Sequence, residues 1–225
     1  MLMKENNHIK QLIWDLDGTL IDSQGEIIHH LELALHDSGL NISDQIKPIR
    51  TGPPIDIMLR ESFPAVLITE EKMVEILSNF RERYDSSDFI MTNSFYGIDK
   101  IVSDTTNFIH HIITNKPNYA SMKIIKKLGW SDKITSLMTP SIDINQRKEK
   151  KVMFSELIAE FGNNVSFFIG IGDMKTDCLA ARENNITSVG VLWGSGTREE
   201  LVDCCDYLFE EISQLRDFLY GEKLT

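Results

Sequence analysis

The sequence predicts an α/β protein: a parallel sheet with helices on both faces, interrupted after its first strand by an all-helical segment. Three observations carry this. An apolar run, Gln11 to Trp14, ends in two aspartates one residue apart, followed by glycine. Residues 22 to 92 then show helical periodicity and no strand pattern. From about Thr92 onward, strand and helix patterns alternate regularly.

Gln11 to Trp14 has no polar face, as expected of a strand covered on both sides. Successive residues of a strand point oppositely, so Asp15 and Asp17 can share a site only if the strand ends there. Gly18 supplies the turn. A helix is predicted over Gln24 to Ser38, with Ile27, Ile28, Leu31 and Leu35 on one face and a Ser-Gly stop. Pro48, Gly52, Pro53 and Pro54 break the chain. Helices follow over Ile55 to Glu61 and Thr69 to Tyr84, the second with Met73, Ile76, Leu77 and Phe80 at helical spacing. Strands are then predicted at Phe108 to Ile113, Val165 to Ile171, Ile186 to Val191 and Asp206 to Phe209. Helices are predicted at Asn118 to Leu128, Lys150 to Phe161, Asp177 to Asn184, Thr197 to Val202 and from Ile212 onward. Residues 1–21 and 93–225 are thus expected to form the core, and 22–92 a helical lid beside it.

At 225 residues the chain can hold one sizeable core plus a smaller insert. A net charge of −11 argues against nucleic acid and anionic membrane surfaces as partners. An anionic substrate stays compatible, because a bound metal and local cations can reverse the field in a pocket. Three cysteines, two of them adjacent at Cys204 and Cys205, give neither a disulfide framework nor zinc spacing and fit a reducing cytoplasm. Met1 to His8 is polar and lacks the apolar stretch of a signal peptide, and Val165 to Ile171 is too short to span a bilayer. Oligomeric state is not legible.

Two carboxylates as close as Asp15 and Asp17 repel unless a cation or a proton lies between them. Either a hard divalent cation such as Mg²⁺ bridges them, or one stays protonated as an acid. An enzyme that attacks phosphate with the first Asp, and moves the leaving-group proton with the second, needs both arrangements in turn. A bare Asp-x-Asp-Gly is more often a polar turn. The longer string here, with Thr19 and Leu20, should arise by chance in only about one in a few thousand chains of this length.

Asp15 to Ser23, Asp-Leu-Asp-Gly-Thr-Leu-Ile-Asp-Ser, resembles the first signature of the haloacid dehalogenase-like hydrolases, especially their phosphoglycolate phosphatase-like branch. The resemblance implies a Rossmann-like core, a small helical cap and Mg²⁺. Thr114-Asn115-Lys116-Pro117 after a strand resembles the second signature, whose Thr binds phosphate. A fixed hydroxyl near a helix start suits equatorial phosphoryl oxygens, whereas an isolated threonine there is usually a cap. A lysine is expected next. The family's proline spacing is missing from Gln146-Arg147-Lys148-Glu149-Lys150-Lys151, so counting back from Phe161-Gly162 leaves Lys150 as first choice and Lys148 as second. Gly172-Asp173-Met174-Lys175-Thr176-Asp177 resembles the fourth signature. Asp173 would complete the metal set with Asp15 and Asp17, and Asp177 would orient ligands or the lysine from behind.

Gly18, Thr19 and Asn115 are expected to contact substrate; Arg50 from the insert is the candidate to hold a substrate carboxylate or hydroxyl, against the commoner reading of a surface arginine. Trp193-Gly194-Ser195-Gly196 also looks like that branch, with Ser195 in place of a tyrosine and Trp193 expected to pack. His29, His30, His110 and His111 show no ligand spacing, and His110 and His111 are expected to bury one ring between them. The resulting expectation is a Mg²⁺-dependent phosphatase for a small phosphorylated metabolite such as phosphoglycolate, a sugar phosphate or a nucleotide. A phosphomutase of the β-phosphoglucomutase type is the alternative. Asp17 disfavours a dehalogenase, and the helical insert disfavours a receiver domain.

Overall fold

The computed structural model describes residues 9–141, 147–162 and 164–221; the readings made on Met1 to His8 and on Gln146 lie outside them. Its centre is a six-stranded sheet in the order β5-β4-β1-β6-β7-β8, with every pairing parallel. The strands are β1 (Lys10–Trp14), β4 (Phe108–Ile113), β5 (Ile134–Met138), β6 (Phe168–Gly172), β7 (Thr187–Val191) and β8 (Tyr207–Phe209). The helices are α1 (Gln24–Asp37), α2 (Ile55–Ser62), α3 (Glu70–Ser86), α4 (Ile98–Val102), α5 (Asn118–Lys127), α6 (Lys150–Phe161), α7 (Lys175–Glu183), α8 (Arg198–Leu201) and α9 (Ile212–Tyr220).

β1 lies between β4 and β6, and its Leu12, Ile13 and Trp14 are fully buried. Leu12 and Trp14 join one apolar cluster, and Ile13 joins another with Met153, Phe154, Leu157 and Phe168. A strand with helices on both faces has no side left for polar residues, which is why its sequence does not alternate.

Helices α1, α2 and α3 fall between two short strands, β2 (Ile21–Asp22) and β3 (Asn93–Ser94), which pair antiparallel. The insert's Leu31, Met58, Ile76 and Phe80 belong to the same cluster as Leu12 and Trp14, so its apolar face is continuous with one face of the sheet. The β2–β3 ribbon escapes a sequence reading because two-residue strands carry no periodicity. β5, an edge strand of half-exposed residues, and the five-residue α4 were likewise not foreseen.

Two boundaries move for local reasons. The strand expected at Val165 starts only at Phe168, because Asn164 accepts from Ser166 N and holds Val165–Phe167 in a 3₁₀ turn. α7 starts at Lys175, two residues early, because the Asp177 carboxylate turns back to accept from Met174 N at 3.1 Å. His110 and His111 are both buried, not one of them. Trp14 Nε1 donates to His110 Nδ1, while His111 bonds Ser136 Oγ and Gln11 Oε1 at 2.9 Å each. The three cysteines are free, and their sulfurs gather within 4.8 Å of one another beside Leu201.

Candidate active site

The sheet register collects the acids. Trp14 pairs with Ile112 of β4 and with Ile171 of β6, so Asp15, Thr114 and Asp173 leave the sheet along one rim, at the carboxyl ends of the strands. That rim is where open α/β sheets bind ligands. Asp15 is anchored by its backbone N–H, which donates to Ile171 O at 2.9 Å.

Asp15, Asp173 and Asp177 offer carboxylate oxygens within 4.8 Å of one another, and all three residues are buried. Lys150 enters from the first turn of α6. Its ammonium donates to Asp15 Oδ1 at 2.7 Å and to Asp177 Oδ1. Lys148, the second choice from sequence, instead pairs with Glu156 on the surface at 2.6 Å. The helix start explains the difference: Lys150 lies in the helix with its side chain inward, whereas Lys148 precedes the helix.

Asp17 stands apart from this cluster, which departs from the metal set expected of Asp15, Asp17 and Asp173 as three side chains. Its Oδ1 accepts from Ser23 Oγ and lies 2.8 Å from Lys116 Nζ. Lys116 in turn donates to the hydroxyl of Tyr84, on α3 of the insert, at 2.7 Å. Lys116, Ser23 and Tyr84 were missed as site residues. Tyr84 continues the stripe Met73, Ile76, Leu77, Phe80 by four residues and adds a polar tip, a signal that was available.

The electrostatics follow from burial. Burial pushes the Asp15 carboxyl well above the usual carboxylate range against the pull of Lys150, and Asp177 and Asp173 add to the rise. Asp173 is pushed up to about 6, first by burial and then by Asp177. Burial opposes charge on Lys150 and Lys116, but the facing carboxylates outweigh it and hold both above the ordinary lysine range. Three carboxylates, Asp15, Asp173 and Asp177, thus crowd one ammonium, and their all-oxygen donor set fits one hard divalent cation, whose charge would oppose the rise at Asp15 and Asp173.

Thr19 and the glycines close the site around Asp173. Thr19 Oγ1 donates to Asp173 Oδ1 at 3.2 Å, and Ser195 N donates to Oδ2 at 2.7 Å. A Cβ on Gly18, whose φ is +81°, would meet Asp173 Oδ2 at 2.4 Å, and one on Gly194 would meet it at 2.3 Å. Trp193 packs as expected and donates from Nε1 to Thr19 O. Thr114 is buried and does not cap the following helix; its Oγ1 accepts from Lys116 N at 3.1 Å. Asn115 lines a cavity of about 680 Å³ between the insert and the rim, and Asp17 and Lys116 are on the same lining. Arg50 does not reach that cavity. Its guanidinium is committed to Glu200 (2.7 and 2.8 Å) and to Ser195 O, and it holds the Glu200 carboxyl down to about 2.

The family model described as haloacid dehalogenase-like hydrolase matches residues 12–191. The chain belongs to that family. It is 26% identical over 212 residues to a phosphoglycolate phosphatase of Xanthomonas campestris pv. campestris, covering 92% of this chain and 94% of the relative. It is 24% identical over 193 residues to a 5'-nucleotidase of Pseudomonas aeruginosa, covering 84% and 86%. A haloacid dehalogenase-like family hydrolase from Streptococcus pneumoniae superposes with a TM-score of 0.79 at 20% identity, over 94% of this chain and 99% of that one. This last likeness concerns the fold. Among the described residues, no helix is long and apolar enough to cross a membrane.

Proposed function

We propose that this haloacid dehalogenase-like hydrolase is a Mg²⁺-dependent phosphomonoester phosphatase that works through an aspartyl-phosphate on Asp15. The observation that carries the reading is the buried group of Asp15, Asp173 and Asp177 threaded by Lys150, with Asp17 on the lining of the cavity under the insert.

Asp15 is the nucleophile: its carboxylate attacks phosphorus and displaces the substrate alcohol. Asp17 gives that alcohol its proton, then takes one from the water that hydrolyses the aspartyl-phosphate. Lys150 offsets the charge of the attacking carboxylate, and the Thr114 hydroxyl and Asn115 hold phosphoryl oxygens. Lys116 and Ser23 fix the Asp17 carboxyl by its Oδ1. Mg²⁺, held by Asp15 and Asp173 with Asp177 behind them, would neutralise the phosphoryl charge and orient the group for in-line attack. Spontaneous phosphomonoester hydrolysis is among the slowest known reactions, needing enhancements up to ~10²¹, so no single one of these groups would suffice.

The helices 24–86 act as the cap that shelters this chemistry, with the substrate entering from the cavity. A phosphate-release screen over a metabolite panel with Mg²⁺ tests the reading. Turnover of at least one phosphomonoester, abolished in Asp15→Asn, is expected. Equal turnover by parent and Asp15→Asn would refute it.

A further inference from the structure

The sequence holds three cysteines in two stretches with no ligand spacing, yet the fold brings all three together. Cys178 lies on α7, directly after Asp177, and Cys204 and Cys205 lie in the turn after α8. Their sulfurs stand within 4.8 Å of one another, packed among Leu192, Leu201 and Leu208. The turn is fixed by its backbone, since Cys204 N and Cys205 N both donate to Leu201 O, at 3.0 and 3.1 Å. Room for the Cys205 sulfur comes from Gly190 of β7, where a Cβ would meet that sulfur at 2.7 Å.

A buried cysteine usually behaves as a small apolar residue. That accounts for each one singly, but not for every cysteine of the chain converging on one point. Three sulfurs bonded to one ion at about 2.3 Å stand roughly 4 Å apart, so these need to close by no more than about an ångström. Cys178 and Cys204 are buried and Cys205 is half-buried, which leaves one side open to solvent. The thiols now donate to carbonyls: Cys204 to Glu200 O and Leu201 O at 3.3 Å each, Cys205 to Leu201 O at 2.8 Å. Thiols are weak donors, so metal–sulfur bonds more than offset the loss of these contacts. Lys175 and Arg182 favour negative charge on Cys204, while Asp177 and Asp206 oppose it at Cys178 and Cys205.

We propose that Cys178, Cys204 and Cys205 form a binding site for one soft, thiophilic cation of the Cu⁺ or Zn²⁺ kind. Each sulfur that binds exchanges its S–H bond for a metal–sulfur bond and releases the proton to solvent. Among the described residues, no histidine or carboxylate joins the three sulfurs. Three thiolates suffice for Cu⁺, whereas Zn²⁺ takes a fourth donor, supplied by water on the open Cys205 side. Two candidate metal centres thus meet at neighbouring residues of α7, oxygens at Asp177 and sulfurs at Cys178, and they sort cations by hardness. The sulfur site stands whether or not the chain is a phosphatase.

The test titrates the reduced full chain with Mg²⁺ in excess, so that the carboxylates are occupied. One arm adds Cu⁺ under anaerobic conditions, and the other adds Cd²⁺, a spectroscopic stand-in for Zn²⁺. The expected result is one ion bound per chain, an ultraviolet thiolate-to-metal charge-transfer band, and protection of Cys205 from iodoacetamide. Cys178→Ser and Cys205→Ser should each lose the band and the bound ion. The ion that saturates at the lower concentration tells the three-sulfur shell from the one completed by water. No band with either ion, or a band that survives both substitutions, would overturn the proposal. Should a variant fail to fold, the parent protein decides: Cys205 alkylated equally fast with and without each ion refutes the site.

Discussion

A fully buried lysine is costly unless it is paired, and Lys116 is paired with both the core and the insert. Its ammonium holds Asp17 on one side and the Tyr84 hydroxyl on the other. If Asp17 serves as the proton donor, removing its brace should matter most when the leaving alcohol needs a proton. Lys116→Met is therefore expected to lower kcat on alkyl phosphates by about a hundredfold, the low end of what a positioned general acid contributes. On p-nitrophenyl phosphate, whose phenolate leaves unprotonated, the loss should be much smaller. Tyr84→Phe should show the same pattern more weakly. Equal losses on both substrates would reduce Lys116 to a packing residue.

The residue scale is also where sequence and structure part. Asp15, Asp173 and Asp177 were legible because each follows a strand or opens a helix within a string that resembles a family signature, and Lys150 only as the first of two choices. The Lys116–Asp17–Tyr84 chain was not, because it joins residues from three separate stretches through side-chain rotamers that no periodicity encodes. Arg50 fits its commoner reading as a surface arginine, though a lone arginine between the insert's helices gives no sign that Glu200 is its partner.

At the scale of elements, the parallel register does most of the assembly. Three strands end together, and the loop after β7 folds back so that Ser195 N binds Asp173. Glycines make that approach possible. Gly194→Ala would push a methyl to 2.3 Å from Asp173 Oδ2 and displace the carboxylate or the loop. If Asp173 holds Mg²⁺ as proposed, support of this kind is typically worth 10–100-fold in metal affinity. The Mg²⁺ concentration for half-maximal activity should rise by about that factor in Gly194→Ala. An unchanged Mg²⁺ requirement would mean that Asp173 does not hold the ion. The long elements were foreseen nearly to the residue, since their periodicity reflects one buried face. The β2–β3 ribbon, α4 and β5 are too short or too exposed to leave such a pattern.

For the whole molecule, the insert and core share one apolar cluster and several polar ties. Lys116 donates to the Tyr84 hydroxyl, Lys127 donates to Phe89 O and Thr92 O, and Arg50 reaches Glu200. Acid stability should be governed partly by the core beneath them. Burial, with some help from His110, lowers the His111 pKa to about 4. Above pH 6.5 the imidazole is neutral in both folded and unfolded chains. As pH falls from 6.5 towards 4, only the unfolded chain takes up the proton. Stability present at neutral pH is thereby lost, by an amount on the order of 3 kcal/mol at the lower end. Denaturant unfolding across that window should show a shallower fall for His111→Gln, which keeps hydrogen-bonding capacity but cannot titrate. Parallel curves for the two proteins would remove His111 from the acid response.

The proposed reaction passes through the carboxylate of Asp15. The most direct measurement is an acid quench of the enzyme during turnover with Mg²⁺ and a good substrate, followed by peptide mass spectrometry of the segment around β1. One added phosphoryl group on Asp15, absent from Asp15→Asn and from enzyme without substrate, is the predicted result. Steady phosphate release with no phosphoryl group at Asp15 at any quench time, or with the label on a different residue, would contradict it.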